Sequence, residues 1–240
     1  MNVGSYLADG GGLAILVDPA RTNPPQAREL ARRAAGEGAR VLLLGNSFGA
    51  DDRGSDIALA LREGGLPVVQ FPATASQLIP EVDAVLLLSL VSGRNPTYLI
   101  EEHVRAVPFL ASHPQIDVIS TAYCLIDGGH VTSVEAVSQT RPLPRDKPEL
   151  VAAHVRAAMY IGMRAVYLDA GSGARTAVGG ELIQAARSAT RGPLFVGGGI
   201  KDADGVRVAR DAGADYVVVG TLFEKSGPRD VRELALAARA

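Results

Sequence analysis

The chain has 240 residues, 47% of them hydrophobic and 21% charged, with a formal net charge of −2. That length suits one α/β barrel with a large buried core, and the charge balance gives no reason to expect nucleic acid as a partner. The longest apolar runs, such as 85–91, are strand-length and far short of an integral membrane segment. The single cysteine, Cys124, excludes an internal disulfide and suits a reducing cytoplasm.

Taken in chain order, the start lacks the basic-then-apolar order of a secretory signal. Short apolar runs then predict eight strands, at 13–18, 40–45, 66–71, 84–90, 116–123, 165–170, 193–198 and 215–220. Most are continuous rather than alternating, the pattern of parallel strands covered on both faces. Helical periodicity predicts helices over 25–36, 54–64, 96–110, 148–161, 179–191, 202–212 and 228–240, several opened by proline and followed by glycine. Repeated β-then-α units predict an α/β protein, and eight of them favour a single (β/α)₈ TIM barrel spanning 1–240 over an open doubly wound sheet.

Two connections are irregular. Only twelve residues, 72–83, separate the third and fourth strands, and Pro80 lies among them. A parallel crossover with its helix needs about a dozen or more residues, so the third covering helix is expected to be missing or reduced. The short link is either harmless or leaves a gap in the helical ring that admits a long hydrocarbon. The second irregularity is the excursion 127–147, long enough to be a lid or a subunit contact.

In such barrels the site lies at the carboxyl ends of the strands. Glycine-rich turns follow the last three strands, with Gly171, Ser172 and Gly173, then Gly198 and Gly199, then Gly220 and Thr221. Glycine lets backbone N–H groups approach an anion closely, so three converging turns point to phosphate. Asp18 ends the first strand and Ser47 follows the second. A carboxylate and a hydroxyl on neighbouring strand ends are suited to sharing Mg²⁺ with diphosphate oxygens, although an isolated strand-end aspartate equally often caps a helix. Arg21 offers a permanent cation to the same anion. Asp169 ends the sixth strand beside Tyr167 and is placed to act as a base, or else to cap the next turn.

Other chemistries are disfavoured. His103, His113, His130 and His154 show no metal-ligand spacing, and His103 and His154 fall in predicted helices, where a surface role is expected. The lysines are Lys147, Lys201 and Lys225, none on an inner strand face, which counts against a Schiff-base aldolase. Lys201 is expected to neutralise phosphate or solvate a helix start.

Together VDPAR, LLGNS, FPA, LLLSLVSGRNPTYLI, YLDAGSGA, VGGGI and VVVGTLFE, in this order along nearly the whole chain, resemble the geranylgeranylglyceryl phosphate synthase family. That family includes heptaprenylglyceryl phosphate synthase and the moenomycin-type 3-phosphoglycerate farnesyltransferase. The resemblance implies a Mg²⁺-dependent prenyltransferase joining a prenyl diphosphate to a small phosphorylated acceptor, in a modified barrel whose gap holds the prenyl chain. It implies a cytoplasmic enzyme and a homodimer by analogy. It places the metal at Asp18 and Ser47 and diphosphate contact at Arg21. It puts acceptor binding at Tyr167, Gly171, Ser172, Gly173, Gly198, Gly199, Gly220 and Thr221, the base at Asp169, and Tyr123 in the cavity lining.

Three departures from the family pattern stand out. Ala20 replaces an acid in the first motif, Asp169 is one methylene shorter than the usual glutamate, and Ser92 stands where asparagine is common. A shorter base and a lost acid leave room and charge for a bulkier, more anionic acceptor, which favours 3-phosphoglycerate over sn-glycerol 1-phosphate. The rival functions are a phosphate-binding isomerase or lyase and a silent barrel that binds a phosphorylated ligand or a lipid.

Overall fold

The computed structural model describes residues 2–46, 53–220 and 231–239. Eight parallel strands close into a barrel in sequence order: β1 Gly12–Val17, β2 Val41–Leu44, β3 Val68–Gln70, β4 Ala84–Leu90, β5 Asp117–Leu125, β6 Ala165–Asp169, β7 Leu194–Gly197 and β8 Tyr216–Val219. The seam is made by β1 and β8, with Ala14 opposite Val218. All eight predicted strands are present and the open sheet is excluded.

The continuous apolar runs have a direct cause. Alternate residues of each strand enter two separate cores. Leu43, Leu86, Tyr167 and Phe195 point into the barrel, while Leu42, Val85, Val166 and Val196 pack outward beneath the helices. Most positions on both faces are buried, so most are apolar.

The helices are α1 Val3–Ala8, α2 Pro24–Glu37, α3 Gly54–Arg62, α4 Glu102–Ser112, α5 Ser133–Ser138, α6 Pro148–Tyr160, α7 Gly180–Ala189, α8 Ala203–Asp211 and α9 Val231–Ala237. Local signals set several ends. Asn23 and Gln26 form a reciprocal capping box ahead of α2, Pro24 occupies its first turn, and Gly38 ends it at φ 99°. Asp202 caps α8 by accepting from the Gly205 amide.

Two helices were not expected. α1 buries Val3 and Leu7 in the interior core, and its Gly4 amide donates to Asp117 Oδ2 at 2.6 Å. At six residues it is too short to be stable alone, and tertiary contact holds it. α5 lies inside the 127–147 excursion, so that segment is not structureless. The predicted helix 96–110 divides into a π-turn, Thr97–Glu101, and α4.

The third crossover carries a single 3₁₀ turn, Ala75–Gln77, and no covering α-helix. Gln77 is the hub of this short link: its carbonyl accepts from Gln70 Nε2 at 2.6 Å, and its Oε1 accepts from the Ala73 amide at 2.7 Å. The ring of helices is therefore open between α3 and α4, as the short link predicts.

Candidate active site

The carboxyl ends of β5 to β7 converge on Asp169. The β6 side chains at 165, 167 and 169 share one face, which places Tyr167 and Asp169 inside the barrel. Asp169 is buried at 8% exposure, with Oδ2 accepting from the Tyr123 hydroxyl at 2.5 Å and Oδ1 from the Gly171 amide at 2.7 Å. Burial pushes its carboxyl above the ordinary carboxylate range, opposed by the hydrogen bonds from Tyr123 and Gly171. Burial, then the Asp169 charge, holds Tyr123 and Tyr167 well above the usual phenol value, so both remain protonated donors. Phe71 packs 4.8 Å from Tyr167 and 6.0 Å from Tyr123, completing an aromatic floor.

The glycine turns need glycine for steric reasons. Gly171, Gly173, Gly198 and Gly199 all have positive φ, between 72° and 89°. At Gly198 a Cβ would lie 2.6 Å from Asp169 Oδ1 and 2.7 Å from the Gly171 amide nitrogen. The β7 turn thus presses its bare backbone against the carboxylate and the β6 turn together. We expect Gly198→Ala to cut turnover about 10²-fold, because an ångström of displacement at a positioned group costs roughly that much. Steady-state kinetics alongside a thermal melt would separate this from unfolding.

The second cluster lies at the ends of β1 and β2. Asp18 Oδ1 accepts from the Ala20 amide at 2.9 Å and faces Asn46 Nδ2 at 3.5 Å; Oδ2 lies 3.5 Å from Arg21 Nε. Asn46 is itself oriented by Gln77, which donates to its Oδ1 at 2.9 Å. Among the described residues no group of three or more His, Cys, Asp or Glu forms a metal cage. A single rim carboxylate fits a cation that keeps waters and substrate oxygens as its other ligands, the habit of Mg²⁺. Ser47 and Thr221 lie outside the described residues.

Between the two clusters runs a groove of about 560 Å³, counted to its open mouth. Asn46 lines one side and Tyr123 another, so the groove touches residues bonded to Asp18 and to Asp169 alike. Its apolar walls include Phe71, Leu88, Leu90 and Tyr98, with Val134 and Val137 contributed by α5. It opens where the third helix is lacking. Glu102 spans that gap, accepting from the Ala75 amide at 2.6 Å and pairing with Arg105 at 2.6 Å.

The SLVSGRNPTYLI stretch builds the groove wall. Ser89 is buried and donates to the Leu99 carbonyl at 2.7 Å inside the π-turn. Asn95 accepts from the Thr97 amide at 3.1 Å and donates to the Ser138 carbonyl at 3.0 Å. A π-turn shifts side-chain direction within a helix and often marks a functional site; here it carries Tyr98 into the groove.

The structure brings Tyr123, Tyr167, Asp169, Gly171 and Gly198 together and puts Asp18 with Arg21 at the opposite rim. Ser172 and Gly173 are exposed at the turn, and Gly199 and Gly220 are half-buried. One expectation needs correction. His103 is half-buried, with its Nε2 2.7 Å from the Leu88 carbonyl, because α4 turns that face toward β4. Lys201 is exposed just ahead of α8 and donates to the Arg175 carbonyl at 3.2 Å. Asn46 and Gln77 were missed; amides in short connections give no periodic signal. Burial pushes the Cys124 thiol up to about 12, too high for a nucleophile at neutral pH.

A closed parallel barrel with glycine turns at one rim and an apolar side groove defines a (β/α)₈ protein of the TIM-barrel class. The model of the PcrB family matches residues 13–238. The chain belongs to the PcrB family, and its relatives are geranylgeranylglyceryl phosphate synthases, as the sequence motifs indicated. It is 36% identical to the geranylgeranylglyceryl phosphate synthase of Korarchaeum cryptofilum, over 95% of this chain and 94% of that protein. It is 42% identical to the one from Flavobacterium johnsoniae, over 88% and 87%. Among solved structures, the Thermoplasma acidophilum (S)-3-O-geranylgeranylglyceryl phosphate synthase in complex with sn-glycerol-1-phosphate superposes with a TM-score of 0.89 at 28% identity. That match covers 97% of this chain and 95% of the other.

Proposed function

We propose that this prenyltransferase moves a prenyl group from an allylic diphosphate onto a hydroxyl of sn-glycerol 1-phosphate, with Mg²⁺ as its cofactor. The expectation of 3-phosphoglycerate finds no support in the relatives, whose names specify glyceryl phosphate, and it gives way to the acceptor bound in the Thermoplasma structure. The observation that carries the reading is the groove that touches both polar clusters, since tail, diphosphate and acceptor must meet in one continuous space.

In this reading the prenyl tail lies in the groove. The diphosphate sits by Asp18 and Arg21, and the acceptor phosphate sits on the amides of Gly171, Ser172, Gly173, Gly198 and Gly199, with Gly220 and Thr221 as further acceptor-binding residues. Asp18 and Ser47 would hold Mg²⁺, which when bound neutralises charge on the diphosphate. The bond between the allylic carbon and the diphosphate oxygen breaks, and the acceptor oxygen bonds that carbon. Its proton passes to Asp169, and diphosphate leaves. The allylic carbon carries cationic character, so the acceptor oxygen needs only late deprotonation. Tyr123 and Gly171 stabilise the ionised base and fix its orientation, while Tyr167 lines the acceptor side.

A pH consequence follows from the geometry. Removing the Tyr123 hydroxyl takes away a bond that favours the carboxylate, so the Asp169 pKa rises further. The base works ionised, so the acidic limb of kcat/KM should move to higher pH in Tyr123→Phe. An unmoved limb would separate the rate from Asp169 ionisation.

The function itself is tested by product mass spectrometry. Farnesyl, geranylgeranyl and heptaprenyl diphosphates would each be paired with sn-glycerol 1-phosphate and with 3-phosphoglycerate. A prenyl ether of glycerol 1-phosphate is expected. An ether of 3-phosphoglycerate alone would overturn the acceptor, and no ether with any pair would overturn the transfer.

A further inference from the structure

In the 127–147 excursion one residue packs on the β6 turn and also starts the helix that lines the groove. Thr132 is buried and packs directly on Gly171, so closely that a Cβ there would lie 2.4 Å from Thr132 Cγ2. Gly171 is the turn whose amide holds Asp169. The same Thr132 starts α5: its Oγ1 accepts from the Glu135 amide at 3.2 Å, and its carbonyl accepts from the Ala136 amide at 3.0 Å. From α5, Val134, Val137 and Ser138 line the groove.

A six-residue helix has no stability of its own, so its anchors decide where it stands. The far anchor is Asn95, bonded to the Ser138 carbonyl on the β4 side. Most of the near anchors reach the segment after β6. Besides Thr132 on Gly171, the Gly128 carbonyl accepts from the Arg175 amide at 3.0 Å, and a Cβ on Gly128 would lie 2.3 Å from the Ala170 carbonyl oxygen. Arg145 adds bonds to the carbonyls of Asp127 and Ala177, at 2.9 and 2.7 Å.

We propose that Thr132 is a positioning residue that couples the two substrate sites: an anion on the Gly171 turn steadies that turn, Thr132 transmits the order to α5, and α5 then forms the tail-binding wall. This rests on the assignment of acceptor to the turn and prenyl chain to the groove. Two ligands that order the same segment bind with positive coupling, because the second meets a smaller entropic cost. Coupling is reciprocal and usually amounts to about 5–150-fold.

The test uses the full chain with sn-glycerol 1-phosphate and geranylgeranyl thiolodiphosphate, a non-transferring analogue, titrated calorimetrically in Mg²⁺. Each ligand should tighten the other about tenfold, and glycerol phosphate alone should slow amide hydrogen exchange at 132–138. Thr132→Ser keeps the capping hydroxyl but removes the methyl against Gly171. It should abolish the coupling while leaving each separate affinity near the wild-type value. A purely structural role would instead weaken thiolodiphosphate equally with and without glycerol phosphate, and that result overturns the inference. Independent or competing binding in the wild type also overturns it, whether or not the variant folds, and leaves the functional assignment standing. Failure of both ligands to bind would remove the assignment itself.

Discussion

Asp169→Asn should leave acceptor binding nearly intact and lower kcat by about 10²–10⁴-fold, the usual contribution of a positioned general base. Asparagine keeps the shape of the side chain. Its carbonyl oxygen still accepts from the Gly171 amide, and its amide group donates to the Tyr123 oxygen, so only the Tyr123 O–H loses its acceptor. Asp169→Ala is the less informative variant. It leaves the Tyr123 hydroxyl and the Gly171 amide unpaired, at about 1–3 kcal/mol for each buried group, and mixes a folding defect with a chemical one. Pre-steady-state turnover together with glycerol phosphate titration separates the two. Near-normal kcat in Asp169→Asn would contradict the base role.

Asp18→Asn should lower kcat/KM for the prenyl diphosphate by about 10²–10³-fold, the scale of losing one preorganised electrostatic contact. Asparagine can still accept the Ala20 amide, so the turn after β1 survives. What is lost is the negative charge that faces Arg21 and would help hold the cation. The variant should also require a higher Mg²⁺ concentration for half-maximal activity and lose the thermal stabilisation by thiolodiphosphate plus Mg²⁺. Unchanged Mg²⁺ dependence would place the cation elsewhere or remove it from the reaction.

These two carboxylates were legible in the sequence for a simple reason. Asp169 ends β6 and Asp18 directly follows β1, and strand ends in a (β/α)₈ barrel are read directly from apolar runs. The gap in the helical ring was legible too, since twelve residues cannot easily hold a crossover helix. What the sequence did not disclose depends on contacts between distant segments. The Asn46–Gln77 bond joins two short connections, and α5 takes its place from Gly171, Asn95 and Arg145 rather than from its own six residues. The π-turn was read as ordinary helix because its contact with β4, the Ser89 hydroxyl on the Leu99 carbonyl, comes from a distant segment. The preference for 3-phosphoglycerate shows a different limit. One methylene at Asp169 and one missing acid at Ala20 are too small a difference to choose an acceptor without the rest of the pocket.

In the proposed function a hydrocarbon chain fills the opening left by the absent third helix. Photo-crosslinking with a farnesyl diphosphate analogue bearing a diazirine near its tail, followed by peptide mapping, reads this directly. Labels should fall on Leu88, Tyr98, Val134 or Val137 and be competed away by geranylgeranyl diphosphate. Competable labels confined to the outer surface of α7 or α8, with none in the groove, would rule out the groove as the prenyl site.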